Sequence, residues 1–126
     1  AGMGPAAAEP MKQSPMYQLY AQIAPRPEDW STLLTKLGEL LRTEYDWTEA
    51  VKALSMPAMI VVGDADSVRT SHAVECFELL GGGKQGADWN GTGMSSARLA
   101  ILPGMTHYAI FASPVLAATV IPFLDA

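Results

Sequence analysis

Apolar residues in the first part of the chain recur at intervals of three and four, the spacing of an amphipathic helix. Residues 11–24 show this pattern around Ser14-Pro15, a typical helix start, and residues 28–45 show it more strongly. The apolar stripe of the second helix consists of Trp30, Leu33, Leu34, Leu37, Leu40 and Leu41. A short third helix is expected to end near Leu54. The pattern predicts a helical segment at residues 11–56, preceded by a flexible tail at residues 1–10.

From Pro57 onwards the apolar residues run consecutively instead of periodically. Residues 57–62 and 98–102 are typical of strands covered on both faces, as in a parallel sheet. A helix is predicted at residues 71–80 and a glycine-rich loop at residues 81–97. A last helix is predicted from Ser113-Pro114 to about Leu124, with its end distorted by Pro122. The predicted fold class is α/β: a βαβα unit at residues 57–126 with two parallel strands, preceded by helices.

Composition narrows the class of protein. The chain has 126 residues, 49% of them hydrophobic and 17% charged, which favours one folded domain over a disordered segment. The net charge of −5 argues against nucleic acid and an anionic membrane surface as partners. No apolar run approaches the roughly 18–20 residues of a membrane span. The single cysteine, Cys76, allows no intrachain disulfide and favours a reducing compartment, the cytoplasm.

One candidate for chemistry follows each predicted strand. Asp66 stands in the turn Gly63-Asp64-Ala65-Asp66, and His107 stands in the turn after the second strand. The carboxyl ends of parallel strands share one edge of a sheet, where ligands collect, and neighbouring strands lie about 4.8 Å apart. We therefore expect the carboxylate and the imidazole to meet. Such a pair is the acid–base half of a nucleophilic triad, because the carboxylate orients the ring that takes the proton.

With these turns in this order, the chain resembles the C-terminal half of an α/β-hydrolase. The resemblance rests on residues 60–66 and 99–107, then on Ser113-Pro114 and residues 122–124. It implies a partial α/β-hydrolase fold in which residues 11–56 belong to the cap over the pocket. It also implies hydrolysis of a small-molecule, apolar ester or a related bond, without a cofactor or a metal.

The same resemblance implies that Asp66 is the acid and His107 the base of the triad. The family often has proline directly after the acid, and this chain has Ser67, so Asp64 stays open as a second candidate. The family's G-x-S-x-G nucleophile motif is missing from the chain. Gly93-Met94-Ser95-Ser96-Ala97 is superficially similar, but it precedes a strand instead of joining a strand to a helix. We expect the nucleophile, a serine or an aspartate, to come from residues upstream, and the chain alone to be almost inactive.

A second function class is a non-catalytic oligomerising or interaction module. A sheet of two strands leaves unpaired backbone at both edges and bare apolar surface. Its partner would be a second copy of the chain or a missing N-terminal half.

Other residues carry weaker hypotheses. His72 and Cys76 lie four residues apart, but further metal ligands are lacking, so we expect a surface histidine and a buried structural cysteine. Trp89 either anchors its loop or reaches the pocket. Helix packing and the lining of a substrate pocket are both open for four side chains of the first helical stretch, Met11, Met16, Tyr17 and Tyr20.

Overall fold

The computed structural model describes residues 2–126 and divides into two compact units, Ala1–Asp46 and Trp47–Ala126. The first unit contains α1 (Pro15–Ile23) and α2 (Trp30–Arg42). The second contains α3 (Thr48–Lys52), β1 (Ala58–Gly63), α4 (Thr70–Leu79), β2 (Ala97–Leu102) and α5 (Pro114–Leu124). Short 3-10 turns lie at Pro5–Ala7, Pro10–Gln13, Pro27–Asp29 and Ile110–Ala112. The protein is thus a mixed α/β chain with two parallel strands, as the apolar pattern predicts.

Two helices begin with the predicted cap. The Ser14 hydroxyl accepts a hydrogen bond from the amide of Tyr17 at 3.3 Å, and the Ser113 hydroxyl accepts one from Val115 at 3.2 Å. In both cases proline occupies the first helical position, where its missing N–H costs nothing. Helix α5 contains Pro122 and ends at Leu124, the predicted end.

The first unit is built around Trp30 and Leu34 on one face of α2, whose exposed fractions are 2% and 0%. The indole Nε1 of Trp30 donates a hydrogen bond to the carbonyl of Ala8 at 2.9 Å. A side chain on Gly38 would overlap the backbone of Met3, so the N-terminal segment crosses α2 in close contact. Residues 3–8 are therefore packed, whereas the Ala- and Pro-rich composition predicts a flexible tail at residues 1–10. Residue 1 of this predicted tail lies outside the described residues.

The apolar stripe of α2 is buried only over part of its length. Trp30 and Leu34 are buried and Leu33 and Leu37 pack against them, whereas Leu40 and Leu41 are mostly exposed. The first compact unit ends at residue 46, so α3 belongs to the same unit as the strands. The helical pattern instead predicts a boundary between residues 56 and 57. The contacts of α3 with α4 explain this grouping.

The two strands of the second unit pair in parallel, from Ala58 opposite Ala97 to Gly63 opposite Leu102. Helices α4 and α5 each contact both strands. The most buried side chains lie near the strand ends, at Val62, Ala97 and Leu102, while Ile101 is 42% exposed. The expected cover on both faces is therefore only partial in residues 2–126. Both outer edges of the two-stranded sheet are also unpaired in this range.

No helix within the described range combines the length and the apolar character that crossing a membrane requires.

Candidate functional site

The turns after the two strands are joined through their backbones. The amide of Asp64 donates to the carbonyl of Leu102 at 3.0 Å, and the amide of Ala65 donates to the carbonyl of Met105 at 3.1 Å. Gly63 makes this approach possible, since a Cβ at this position would overlap the Met105 carbonyl. The predicted meeting of the two turns at one edge of the sheet follows from these contacts.

Asp66 and His107 are in direct contact at this edge. Oδ1 of Asp66 lies 3.0 Å from Nδ1 of His107. The Asp66 side chain is 4% exposed and the His107 side chain is 44% exposed, so solvent reaches the imidazole but hardly the carboxylate. An ionised carboxylate can only accept, so the hydrogen in this contact resides on Nδ1. The neutral ring then carries its lone pair on Nε2.

The Asp66 carboxylate is held by its own turn as well as by the histidine. Oδ1 also accepts from the amide of Val68 at 2.8 Å and from the hydroxyl of Ser67 at 3.4 Å. The Val68 hydrogen bond is the main cause that lowers the pKa of Asp66 below its ordinary value. The hydrogen bond and charge of His107 act in the same direction, while burial opposes them. The carboxyl therefore favours its ionised form, which an orienting acid needs.

His107 sits beside two aromatic rings. Tyr108 and Phe111 approach the imidazole edge-on, with ring centroids at 5.6 and 5.8 Å, and both are largely exposed. Two features hold the loop in place: the Thr106 hydroxyl accepts a hydrogen bond from the amide of Ala109 at 3.1 Å, and Ile110, between the two aromatic residues, is buried. Across residues 2–126, the hydrogen bond that the structure shows for this ring is made by Nδ1.

Asp64, the second candidate for the acid, makes a different contact. Its side chain accepts from the amide of Met105 at 3.3 Å, and the carboxylate that contacts His107 is that of Asp66. The structure therefore brings Asp66 to the imidazole, whereas Asp64 makes a hydrogen bond that links the two turns.

The serine pair that superficially resembles a nucleophile motif lies at the other end of the sheet. Ser95 precedes β2 and its hydroxyl accepts from the amide of Ala97 at 3.0 Å, whereas His107 follows β2. A strand of six residues spans about 20 Å, so neither Ser95 nor Ser96 reaches His107 within the second unit.

The remaining candidates do not join the pair. Sγ of Cys76 lies 3.8 Å from Nε2 of His72; the cysteine is half-buried, less than expected, and the histidine is exposed, as expected. Over residues 2–126 no group of three His, Cys, Asp or Glu side chains has the arrangement that could hold a metal ion. Trp89 is fully exposed, so it does not anchor its loop.

Sequence reasoning missed the backbone contacts that align the turns, those of Gly63 and Met105. A glycine at the end of a buried strand signals close approach of another backbone, but its partner lies far along the chain. A scan against protein-family models and searches of curated proteins and of solved structures found no match to this chain.

Proposed function

We propose that this chain is part of an α/β-hydrolase and supplies the acid and base of its catalytic triad, with the nucleophile provided by residues outside the chain. The observation that carries the proposal is the 3.0 Å contact between the buried side chain of Asp66 and Nδ1 of the partly exposed His107. The order and spacing of the two turns supply the second argument, through the resemblance described above.

In the proposed reaction His107 is the general base. Its Nε2 takes the proton from a serine hydroxyl, or from the water that attacks an ester formed on an aspartate, and later returns the proton to the leaving group. Asp66 keeps the ring in the Nδ1–H tautomer and stabilises the imidazolium that forms. The low pKa of Asp66 suits this role, because the carboxylate stays ionised throughout.

The proposed substrate is a small apolar ester. Tyr108 and Phe111 give the base an aromatic surround, which favours an apolar acyl or alkoxy group over a charged one. The helices of the first unit correspond to the cap in this proposal. The single free cysteine, Cys76, fits a reducing compartment, and we assign the activity to the cytoplasm as part of the same proposal.

The decisive experiment compares two proteins: the 126-residue chain and the product of the complete reading frame that encodes it, whose intact mass is measured against 13.4 kDa. The proposal expects hydrolysis of short-chain p-nitrophenyl esters by a larger product and almost none by the chain alone. His107→Ala is expected to abolish turnover, while His72→Ala, a matched exposed histidine, leaves it intact.

Two results would contradict the proposal. Ester turnover that survives His107→Ala removes the histidine from catalysis. A reading frame that encodes only these 126 residues removes the external nucleophile.

A second candidate function, self-association, is favoured by the apolar surface of the second unit. Helix α5 has no charged residue, and Phe111, Ile121 and Leu124 are exposed. Light scattering of the 126-residue chain tests this candidate, which expects a dimer or larger. A monomer of 13.4 kDa at high concentration excludes it.

A further inference from the structure

We propose that Asp64 is a positioning residue, which holds His107 in register with Asp66 by accepting a hydrogen bond from the Met105 amide. This inference rests on the proposed function, since positioning has a catalytic consequence only if His107 is the base. The contact itself, 3.3 Å from Oδ1 to the Met105 nitrogen, does not depend on it.

Besides the contact between Asp66 and His107, three hydrogen bonds tie the two turns together, and one of the three uses a side chain. The backbone supplies the contacts from Asp64 to Leu102 and from Ala65 to Met105. The Asp64 carboxylate adds the third, so that Met105 is held through both its carbonyl and its amide. Asp66 lies one residue beyond Ala65 and His107 lies two residues beyond Met105, so the orientation of both side chains follows from the alignment of the turns.

A local turn role does not account for Asp64. An aspartate that stabilises its own turn accepts from an amide two residues further on, as Asp66 does with Val68. The partner of Asp64 is instead 41 residues away along the chain, in the other turn. The side chain is exposed, so its burial contributes little, and its contribution lies in this cross-turn contact.

The test reads the tautomer of His107 by ¹⁵N NMR of the 126-residue chain near neutral pH. We expect the Nδ1–H form to dominate in the wild type. Asp64→Ala is expected to produce a mixture of the two tautomers, because the loop that carries the ring loses one of its ties. Asp64→Asn is expected to restore the Nδ1–H form, since its amide oxygen still accepts from Met105. Asp88→Ala, the same change at an exposed loop aspartate, is the control and leaves the tautomer unchanged.

A second measurement keeps the inference testable if Asp64→Ala does not fold. Hydrogen exchange of the Met105 amide is expected to be slowed in the wild type and in Asp64→Asn. Where Asp64→Ala folds, exchange of this amide accelerates about fivefold, the effect of losing one ordinary hydrogen bond. Rapid exchange of Met105 in the wild type, an unchanged tautomer in Asp64→Ala, or a failure of Asp64→Asn to restore it overturns the inference. If the NMR experiments give the expected results but the larger product shows no ester hydrolysis, the hydrolase function is overturned and the role of Asp64 in orienting His107 is retained.

Discussion

Gly63 and Met105 are in backbone contact: a side chain on Gly63 would overlap the Met105 carbonyl oxygen. This contact joins the turn of Asp66 to the turn of His107, although Asp66 and His107 are 41 positions apart in the sequence. A small residue at the end of β1 therefore determines whether the carboxylate and the imidazole can meet.

Gly63→Ala tests this dependence. Because the overlapping atoms belong to the backbone, they cannot rotate away, and we expect the free energy of unfolding to fall by about 2–3 kcal/mol. The Nδ1 contact with Asp66 should be lost in the same variant, and ¹⁵N NMR of His107 reports it. Gly86→Ala is the matched control, since a Cβ there meets open space and no change is expected. Equal effects of the two substitutions would contradict the role of Gly63.

The ionisation of Asp66 should make stability depend on pH in the acid range. Its pKa in the folded chain lies below the ordinary value of 3.8, so the stabilisation is complete above pH 3.8. It is lost as the pH falls through the lowered pKa, because the unfolded state then binds the proton more readily. Urea unfolding of wild type and Asp66→Asn at a series of pH values measures this. The variant should lack this part of the acid dependence, and Asp88→Asn should retain it; identical profiles for Asp66→Asn and wild type would refute the expectation.

Trp30→Phe tests the hydrogen bond and the packing of the Trp30 indole in the first unit. The substitution keeps an aromatic ring but removes the donor, and it leaves the carbonyl of buried Ala8 without its indole partner. We expect a loss of about 1–3 kcal/mol in the free energy of unfolding, measured by circular dichroism in urea. Trp89→Phe, at a fully exposed position, should have almost no effect. A stable Trp30→Phe variant would show that the N-terminal segment is not held by this contact.

Leu34→Ala tests which part of the apolar stripe forms the core. Leu34 is completely buried, so its truncation should cost about 2–5 kcal/mol through lost burial and a cavity. Leu41→Ala removes the same atoms from an exposed position of the same helix and should cost far less. Thermal unfolding of both variants gives the comparison, and similar losses would mean that Leu41 is also part of a packed surface.

The amino-acid pattern alone determined the helices and the parallel strands, because local signals encode them. Caps such as Ser113 ahead of proline and an uninterrupted apolar run at β1 act within a few residues. The same reasoning led to Asp66 and His107, since parallel strands place their following turns at one edge.

Only the tertiary structure decided which aspartate meets the imidazole. Asp64 and Asp66 are two positions apart in one turn, and they are distinguished by their partners in the other turn: the Met105 amide for Asp64 and the His107 ring for Asp66. Tertiary contacts also decided that residues 3–8 pack, through a hydrogen bond from Trp30 that joins positions 22 residues apart. Composition reports the average preference of a segment, and such single long-range contacts override it.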